Sequence, residues 1–236
     1  MKYAIIAAGQ GSRLAQEGVS APKPLVELDG RPMIRRLIDI FIRCEAEEIA
    51  VIVNEQMAAV AAYLSAIAPE LSVPLRLTVR TTPGSMHSLH YVTQLFDGGD
   101  KFIATTVDTI FREDDFRRYA QAFADDDAND GMMAVTPYID DEKPLYIDTD
   151  TEGLITAFRD APWPGVQYIS GGIYGLSAKA LAVLHECMTT NVNRMRDFQR
   201  ALLSAGLKLQ AYPMGKIIDV DHASDIDTAR RFIAQA

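Results

Sequence analysis

The sequence predicts a single-domain α/β fold in which helices flank a mostly parallel, mixed sheet. Short apolar runs alternate with amphipathic segments through the first half of the chain, as in repeated βα units. The length of 236 residues suits one large α/β domain or two small ones. Because no linker rich in Gly, Pro or Ser and no internal repeat divides the chain, we expect one domain over residues 1–236.

Five short apolar runs in the first half predict strands. These strands cover residues 2–8, 48–53, 75–80, 101–107 and 132–137. Between them, apolar residues at helical spacing predict helices at residues 32–43, 56–67, 85–96 and 114–124. Ligands of such sheets collect beyond the carboxyl ends of the strands, so residues directly after these runs are the first candidates for a binding site.

From residue 138 onward the predicted strands become shorter. They cover residues 145–148, 154–158, 168–176 and 208–212. Helices are predicted at residues 178–188, 194–204 and 223–234. The change in pattern divides the predicted domain into two halves, residues 1–137 and residues 138–236.

The composition is that of an ordinary soluble globular protein, with 48% hydrophobic and 23% charged residues. A net charge of −9 argues against a nucleic-acid partner, whose binding surface is normally basic. Cys44 and Cys187 are far apart and have neither metal nor redox spacing. No stretch has the apolar length of a membrane span. We therefore expect a cytoplasmic protein with no membrane partner. The sequence leaves open whether the protein forms a homo-oligomer.

The most informative segment follows the first predicted strand. Residues 7–14 read AAGQGSRL, so an apolar run ends abruptly at two glycines one residue apart, Gly9 and Gly11. Without Cβ atoms, glycines let backbone N–H groups approach an anionic ligand closely. Arg13, and Lys23 in a downstream PKPL block, add positive charge beside this loop. The arrangement suits a polyphosphate.

Other interpretations of these glycines fit less well. A Rossmann dinucleotide fingerprint needs a third glycine where Leu14 stands. A Walker P-loop needs G-K-[ST] after four intervening residues, and the chain does not have it. A tight turn that happens to carry basic residues is the plain structural alternative.

The two blocks together resemble the signature of the sugar-1-phosphate nucleotidylyltransferase family and its phosphocholine cytidylyltransferase-like relatives, A-A-G-x-G-S-R-L and P-K-P-L. The resemblance implies a Rossmann-like nucleotidyltransferase fold, with a nucleotide-binding half over residues 1–137 and an acceptor-binding half over residues 138–236. It also implies a phosphate loop around the nucleoside triphosphate. The residues of that loop would be Ala8, Gly9, Gly11 and Ser12, with Arg13 and Lys23 bracing the phosphates.

The resemblance further implies a Mg²⁺ site. Asp108 ends an apolar strand in a segment similar to the family's G-D-x-x-F, although Val107 replaces the glycine. The stretch at residues 218–226, IDVDHASDI, resembles the family's V-D-T-P-E-D-L and selects Asp221 as the second ligand. Asp219 is the reserve candidate, because in an extended segment it lies on the same face. Mg²⁺ typically takes one or two carboxylates plus substrate phosphates.

Four residues are the predicted catalytic set: Arg13, Lys23, Asp108 and Asp221. Phosphoryl-type transfer asks a protein mainly for alignment and charge neutralisation. Mg²⁺ between the aspartates would ease repulsion between the α-phosphate and an acceptor phosphate, and the two basic side chains would offset charge on the departing pyrophosphate. No protein nucleophile or general base is required, because a phosphate acceptor is already ionised.

A PGSMHSL segment after the third strand resembles the family segment that contacts the nucleobase. Gly84, Ser85 and Ser88 are its candidate base contacts; an ordinary helix N-cap is the alternative. The glutamine that usually precedes this segment is not evident. The nucleotide therefore stays open between UTP, CTP and dTTP.

The SGGIY segment resembles the family's N-x-G-I-Y, where the acceptor packs, and makes Ser170 and Gly172 candidate substrate residues. FRDA replaces the family's F-x-E-K-P block, which supplies a glutamate and a lysine to a sugar phosphate. Arg159 of that segment is a candidate phosphate ligand or a solvated surface residue. The loss leaves the acceptor open between a sugar 1-phosphate and a compound such as phosphocholine.

The predicted function is a Mg²⁺-dependent nucleotidylyltransferase that transfers NMP to a phosphorylated acceptor and releases pyrophosphate. One alternative is a nucleotide-sugar-dependent glycosyltransferase, because residues 219–221 formally spell the D-x-D of such enzymes. The other is a non-catalytic nucleotide-binding regulatory subunit, suggested by the missing E-K-P block.

Overall fold

The computed structural model describes residues 1–99, 101–138 and 143–235. The strands are, in chain order, β1 (Lys2–Ala7), β2 (Glu27–Leu28), β3 (Arg31–Pro32), β4 (Glu48–Val53), β5 (Leu75–Val79), β6 (Lys101–Thr106), β7 (Thr109–Ile110), β8 (Gly131–Thr136), β9 (Tyr146–Thr149), β10 (Ile155–Arg159), β11 (Tyr168–Ser177), β12 (Leu209–Pro213) and β13 (Ile218–Asp219). The helices are α1 (Ser12–Gln16), α2 (Met33–Arg43), α3 (Ala58–Ile67), α4 (Ser85–Thr93), α5 (Glu113–Asp125), α6 (Ala178–Cys187), α7 (Met195–Ser204) and α8 (Ala223–Ala234).

The main sheet is mixed, and most of its strands run in one direction. Its path is β10-β9-β11-β6-β1-β4-β5, with β8 paired to β11 and β12 paired to β8. At its centre β1 pairs in parallel with β4 and β6, and β4 pairs in parallel with β5. The ten-residue β11 is antiparallel to β6, β8 and β9. The predicted mostly parallel, mixed sheet flanked by helices is therefore confirmed.

The central strand β1 shows why the sheet is covered on both faces. All six of its residues are buried, as expected for a parallel strand between two helical layers. Tyr3 and Ile5 belong to a hydrophobic cluster with α2, α3 and α5, whereas Ala4 and Ile6 belong to a second cluster with α4, α6 and α7. This alternation follows from the two-residue period of a strand. The core therefore holds β1 rigidly, with its carboxyl end at the sheet edge.

The predicted strands and helices are all present, with ends that differ by three residues or fewer. The structure adds five short elements without a periodic signal in the sequence: helix α1, the two strands β2 and β3 of a hairpin, and the paired strands β7 and β13. A third, smaller cluster lies around β7, β13 and α8. Within the described ranges, no helix is long and apolar enough to cross a bilayer.

Candidate active site

The loop between β1 and α1 is shaped by one glycine in particular. Gly11 has φ +61° and ψ 28°, in the left-handed region that side chains disfavour. A Cβ atom on Gly11 would also lie 2.9 Å from Cβ of Lys23. The loop and the PKPL segment therefore lie against each other only because position 11 carries no side chain.

Lys23 is the centre of the site. Its ammonium forms ion pairs with Asp108 and with Oδ1 of Asp221, the latter at 2.7 Å, while its side chain is only 10% exposed. Burial opposes the charge on Lys23, but the two carboxylates outweigh it and hold the pKa of the ammonium above its ordinary value. Arg13 completes the set, because its guanidinium lies 3.0 Å from Oδ2 of Asp221. The structure thus brings the four predicted catalytic residues together.

Asp221 rather than Asp219 faces this lysine. Burial opposes the charge on Asp221, yet Lys23 and then Arg13 hold the pKa of that carboxyl below its ordinary value. Asp219 instead accepts a hydrogen bond from the hydroxyl of Thr109 at 3.2 Å. Asp108 and Asp221 share the ammonium of Lys23, and Asp219 stands two residues before Asp221 in the chain.

A cavity of about 410 Å³ opens over the phosphate loop at the carboxyl edge of the sheet. Its lining includes every residue that was predicted to bind the nucleotide or its metal: Ala8, Gly9, Gly11, Ser12, Arg13, Lys23, Gly84, Ser85, Ser88, Asp108 and Asp221. A second cavity of about 390 Å³ contains Ser170 and Gly172, the predicted acceptor residues. The two cavities share Asp108 and Asp221, so a nucleotide and an acceptor would meet at the carboxylates.

The surroundings of position 172, in the second cavity, require a glycine. Its φ is +71°, and a Cβ atom there would lie 2.7 Å from the hydroxyl oxygen of Thr109. The main chain at this point therefore approaches β7 more closely than a side chain permits. Ser170 lies nearby, and its hydroxyl donates a hydrogen bond to the amide oxygen of the buried Gln199 at 3.4 Å.

Arg159 lies away from both cavities. Its guanidinium pairs with Asp148 at 3.0 Å and lies over the ring of Trp163, 4.9 Å from the centroid. Instead, Arg194 and Arg196 line the second cavity. The sequence analysis missed these two arginines, although basic residues at the start of a predicted helix, in the stretch NRMR, could have suggested them.

A model for the MobA-like NTP transferase domain matches residues 3–187, more than three quarters of the chain. The chain belongs to this family. The predicted resemblance to nucleotidyltransferases is thereby confirmed at the family level. The match includes the phosphate loop, Lys23 and Asp108 but ends before Asp221.

The curated proteins that are similar to this chain are named as nucleotidyltransferases. The mannose-1-phosphate guanylyltransferase catalytic subunit beta of Dictyostelium discoideum is 27% identical over 179 residues, which cover 74% of this chain and 49% of the relative. The probable mannose-1-phosphate guanylyltransferase 1 of Oryza sativa subsp. japonica is 27% identical over an alignment covering 98% of this chain and 64% of the relative. The chain thus spans about half to two thirds of the length of these relatives.

Solved structures show the same fold. A putative glucose-1-phosphate thymidylyltransferase from Bacillus anthracis superposes with a TM-score of 0.85 at 23% identity, covering 100% of this chain and 96% of the other. The inositol-1-phosphate CTP transferase from T. maritima gives a TM-score of 0.80 at 15% identity, with 98% and 97% coverage. The nucleotidyltransferase fold that the resemblance implied is confirmed.

Proposed function

We propose that this protein transfers NMP from a nucleoside triphosphate to a phosphorylated acceptor and releases pyrophosphate. One observation carries the proposal: Lys23 lies between Asp108 and Asp221 at the junction of two cavities, beside a glycine loop. This junction is where an α-phosphate and an acceptor phosphate would meet. A site for the nucleotide alone, as in a regulatory subunit, would not need the second cavity to open onto the same carboxylates.

Asp108 and Asp221 are the residues that would hold Mg²⁺. Each has an oxygen within reach of the same ammonium, so two hard donors face one point beside the phosphate loop, which fits the preference of this ion. When bound, Mg²⁺ supplies charge neutralisation between the nucleotide and acceptor phosphates. The remaining ligands would be phosphate oxygens and water, as is usual for this ion.

The chain's own residues bind and align the triphosphate. Lys23 remains protonated at neutral pH, because its pKa is raised, and is available to donate hydrogen bonds to the α-phosphate. Arg13 is about half exposed and stands at the outer side of the loop, where it can neutralise the departing pyrophosphate. No protein atom lies within 4 Å of a Cβ atom built on Gly9, which lines the first cavity, so the backbone of the loop would be open to the phosphates there. No residue needs to remove a proton from an ionised phosphate acceptor.

A sugar 1-phosphate is the acceptor class that the second cavity supports best. Arg194 and Arg196 offer positive charge for its phosphate, and Ser170 and Gln199 offer hydrogen bonds for hydroxyl groups. A quaternary ammonium such as choline is usually held in a cage of aromatic rings, whereas Tyr174 is the aromatic residue in this lining. The names of the curated relatives add mannose 1-phosphate and GTP to the candidate substrates. We also propose that the protein is located in the cytoplasm.

The test is a matrix of GTP, UTP, CTP and dTTP against mannose 1-phosphate, glucose 1-phosphate, inositol 1-phosphate and phosphocholine. Pyrophosphate release is measured with Mg²⁺ and with EDTA. We expect release with at least one sugar phosphate, only in the presence of Mg²⁺. The proposal fails if no pair releases pyrophosphate. Consumption of a finished nucleotide sugar without pyrophosphate would instead identify a glycosyltransferase.

A further inference from the structure

Helix α7 begins without a cap from its own segment. Arg194 occupies the N-cap position and makes no side-chain cap hydrogen bond. The first amide of the helix, N–H of Met195, instead donates to Oγ of Ser85 at 3.1 Å. Ser85 lies 110 residues earlier in the chain, at the start of α4. It thus satisfies one of the amide groups that every helix leaves unpaired at its N-terminus.

The residues around this hydrogen bond bring the two segments into close contact. N–H of Met86 donates to the carbonyl oxygen of Asn193 at 3.2 Å. A Cβ atom on Gly84 would lie 2.2 Å from that same oxygen, so only glycine permits the approach. The start of α4 and the start of α7 are therefore locked together by two hydrogen bonds and by direct backbone packing.

This contact determines where two charged side chains of the acceptor cavity lie. Arg194 and Arg196 flank Met195 and line the second cavity, and the side chain of Met195 is buried in the hydrophobic cluster beneath α4 and α7. Arg196 is held further by Asp160, 2.6 Å away. A displacement of the first turn of α7 would move both guanidinium groups relative to the carboxylates.

We propose that Ser85 is a positioning residue for the acceptor site. Its hydroxyl holds the first turn of α7 and thereby Arg194 and Arg196, whereas the sequence motif predicted a contact with the nucleobase. This inference rests on the proposed function. Ser85 lines both cavities, so a residue shared by the nucleotide and acceptor sides would contribute to the acceptor affinity.

The kinetic test is Ser85→Ala. We expect the KM for the sugar phosphate to rise about five- to tenfold, as for the loss of a helix cap. The KM for the nucleoside triphosphate should change by less than about twofold. Ser85→Thr retains a hydroxyl and should restore most of the acceptor affinity. Ser204→Ala is the matched control, because it removes an exposed serine hydroxyl from the other end of α7.

A rise in the KM for the nucleotide, with the acceptor KM unchanged, would assign Ser85 to the base and overturn the inference. Backbone hydrogen exchange provides a substrate-free test. Exchange over residues 194–199 should be faster in Ser85→Ala than in the unmodified protein and unchanged in Ser204→Ala. Equal exchange in all three proteins would refute the positioning role. A protein that turns over no substrate pair but shows faster exchange in Ser85→Ala would refute the proposed function alone.

Discussion

At the scale of single residues, the positive and negative side chains of the site balance in number. Two basic side chains, Arg13 and Lys23, face two carboxylates, Asp108 and Asp221, and the sum is neutral. Removing one partner of a buried pair is more harmful than removing both, because it leaves a charge without compensation. Under the proposed function, the basic groups would exchange their carboxylate partners for phosphate when a nucleotide binds.

Lys23→Met tests the role of the ammonium. We expect kcat to fall about 10²–10³-fold, the usual effect of removing a donor that stabilises developing charge. The loss of stability should be smaller than the loss of kcat, because water can reach both carboxylates, Asp108 at 22% and Asp221 at 41% exposed, and Arg13 still pairs with Asp221. Lys179→Met is the matched control, since that lysine is 75% exposed and pairs with Asp130. Steady-state pyrophosphate release and thermal unfolding measure the two effects; an unchanged kcat in Lys23→Met would remove the assigned role.

The paired substitutions Asp221→Asn and Asp219→Asn distinguish the two candidate metal ligands. Asp221 shares Lys23 with Asp108, whereas Asp219 is bonded to Thr109. We therefore expect Asp221→Asn to lose about 10²-fold or more in kcat and to need more Mg²⁺, because one of two carboxylate ligands is gone. Asp219→Asn should show a clearly smaller loss. Titration of activity with MgCl₂ is the measurement, and the reverse order of the two variants would make Asp219 the ligand.

At the scale of elements, two very short strands assemble the site. β7 and β13 pair antiparallel, with Thr109 opposite Asp219, and N–H of Val220 donates to the carbonyl of Asp108 at 3.1 Å. Val220 and Ile218 are buried in the third cluster, so the segment is anchored by apolar contacts as well as by hydrogen bonds. This ladder is what brings two aspartates from distant parts of the chain to one lysine.

The contact between α2 and α5 makes stability depend on pH. Arg43 donates two hydrogen bonds to Glu113, at 2.7 and 2.6 Å, and these hold the pKa of Glu113 below its ordinary value of 4.5. A carboxyl whose folded pKa is lowered stabilises the protein above the unfolded pKa, and this stabilisation is lost as pH falls through the folded value. Glu113→Gln should therefore be less stable than the unmodified protein near neutral pH by no more than about 1 kcal/mol, since the pair is partly exposed.

That difference should shrink as pH falls below about 4.5, because acid protonates Glu113 in the unmodified protein. Urea unfolding at several pH values measures it. Glu55→Gln, at an exposed position, is the control and should show little change with pH. A Glu113→Gln difference that stayed constant down to pH 2 would contradict the assignment of the pair.

At the scale of the whole molecule, the sequence predicted what depends on local pattern. The βα order follows from apolar periodicity and is observed, and the glycine loop and Asp108 lie directly after β1 and β6, where the short motifs placed them. Contacts between distant segments were not readable in this way. The hydroxyl of Ser85 meets an amide 110 residues away, and Arg194 rather than Arg159 lines the second cavity because the start of α7 lies there. Neither relation leaves a periodic signal in one sequence.

Ligand binding should stabilise the whole domain, because the two cavities are built from both ends of the chain. A nucleoside triphosphate with Mg²⁺ at about 100 times its Kd should raise Tm by about 5–10 °C. EDTA should remove most of the increase. Lys23→Met should show a smaller increase than Lys179→Met under the same conditions. Differential scanning fluorimetry with each NTP gives the comparison, and an equal shift with and without Mg²⁺ would argue against a metal-bound nucleotide.

The pairing of Lys23 with a residue 198 positions later also bears on biosynthesis. Because translation runs from the N-terminus, the glycine loop and Lys23 leave the ribosome before Asp221 does. Until residue 221 has emerged, Lys23 lacks one of its two carboxylates, because the segment after β13 that carries Asp221 has not yet joined β7. The arrangement of one lysine between two carboxylates therefore forms only after residues 218–221 have been synthesised.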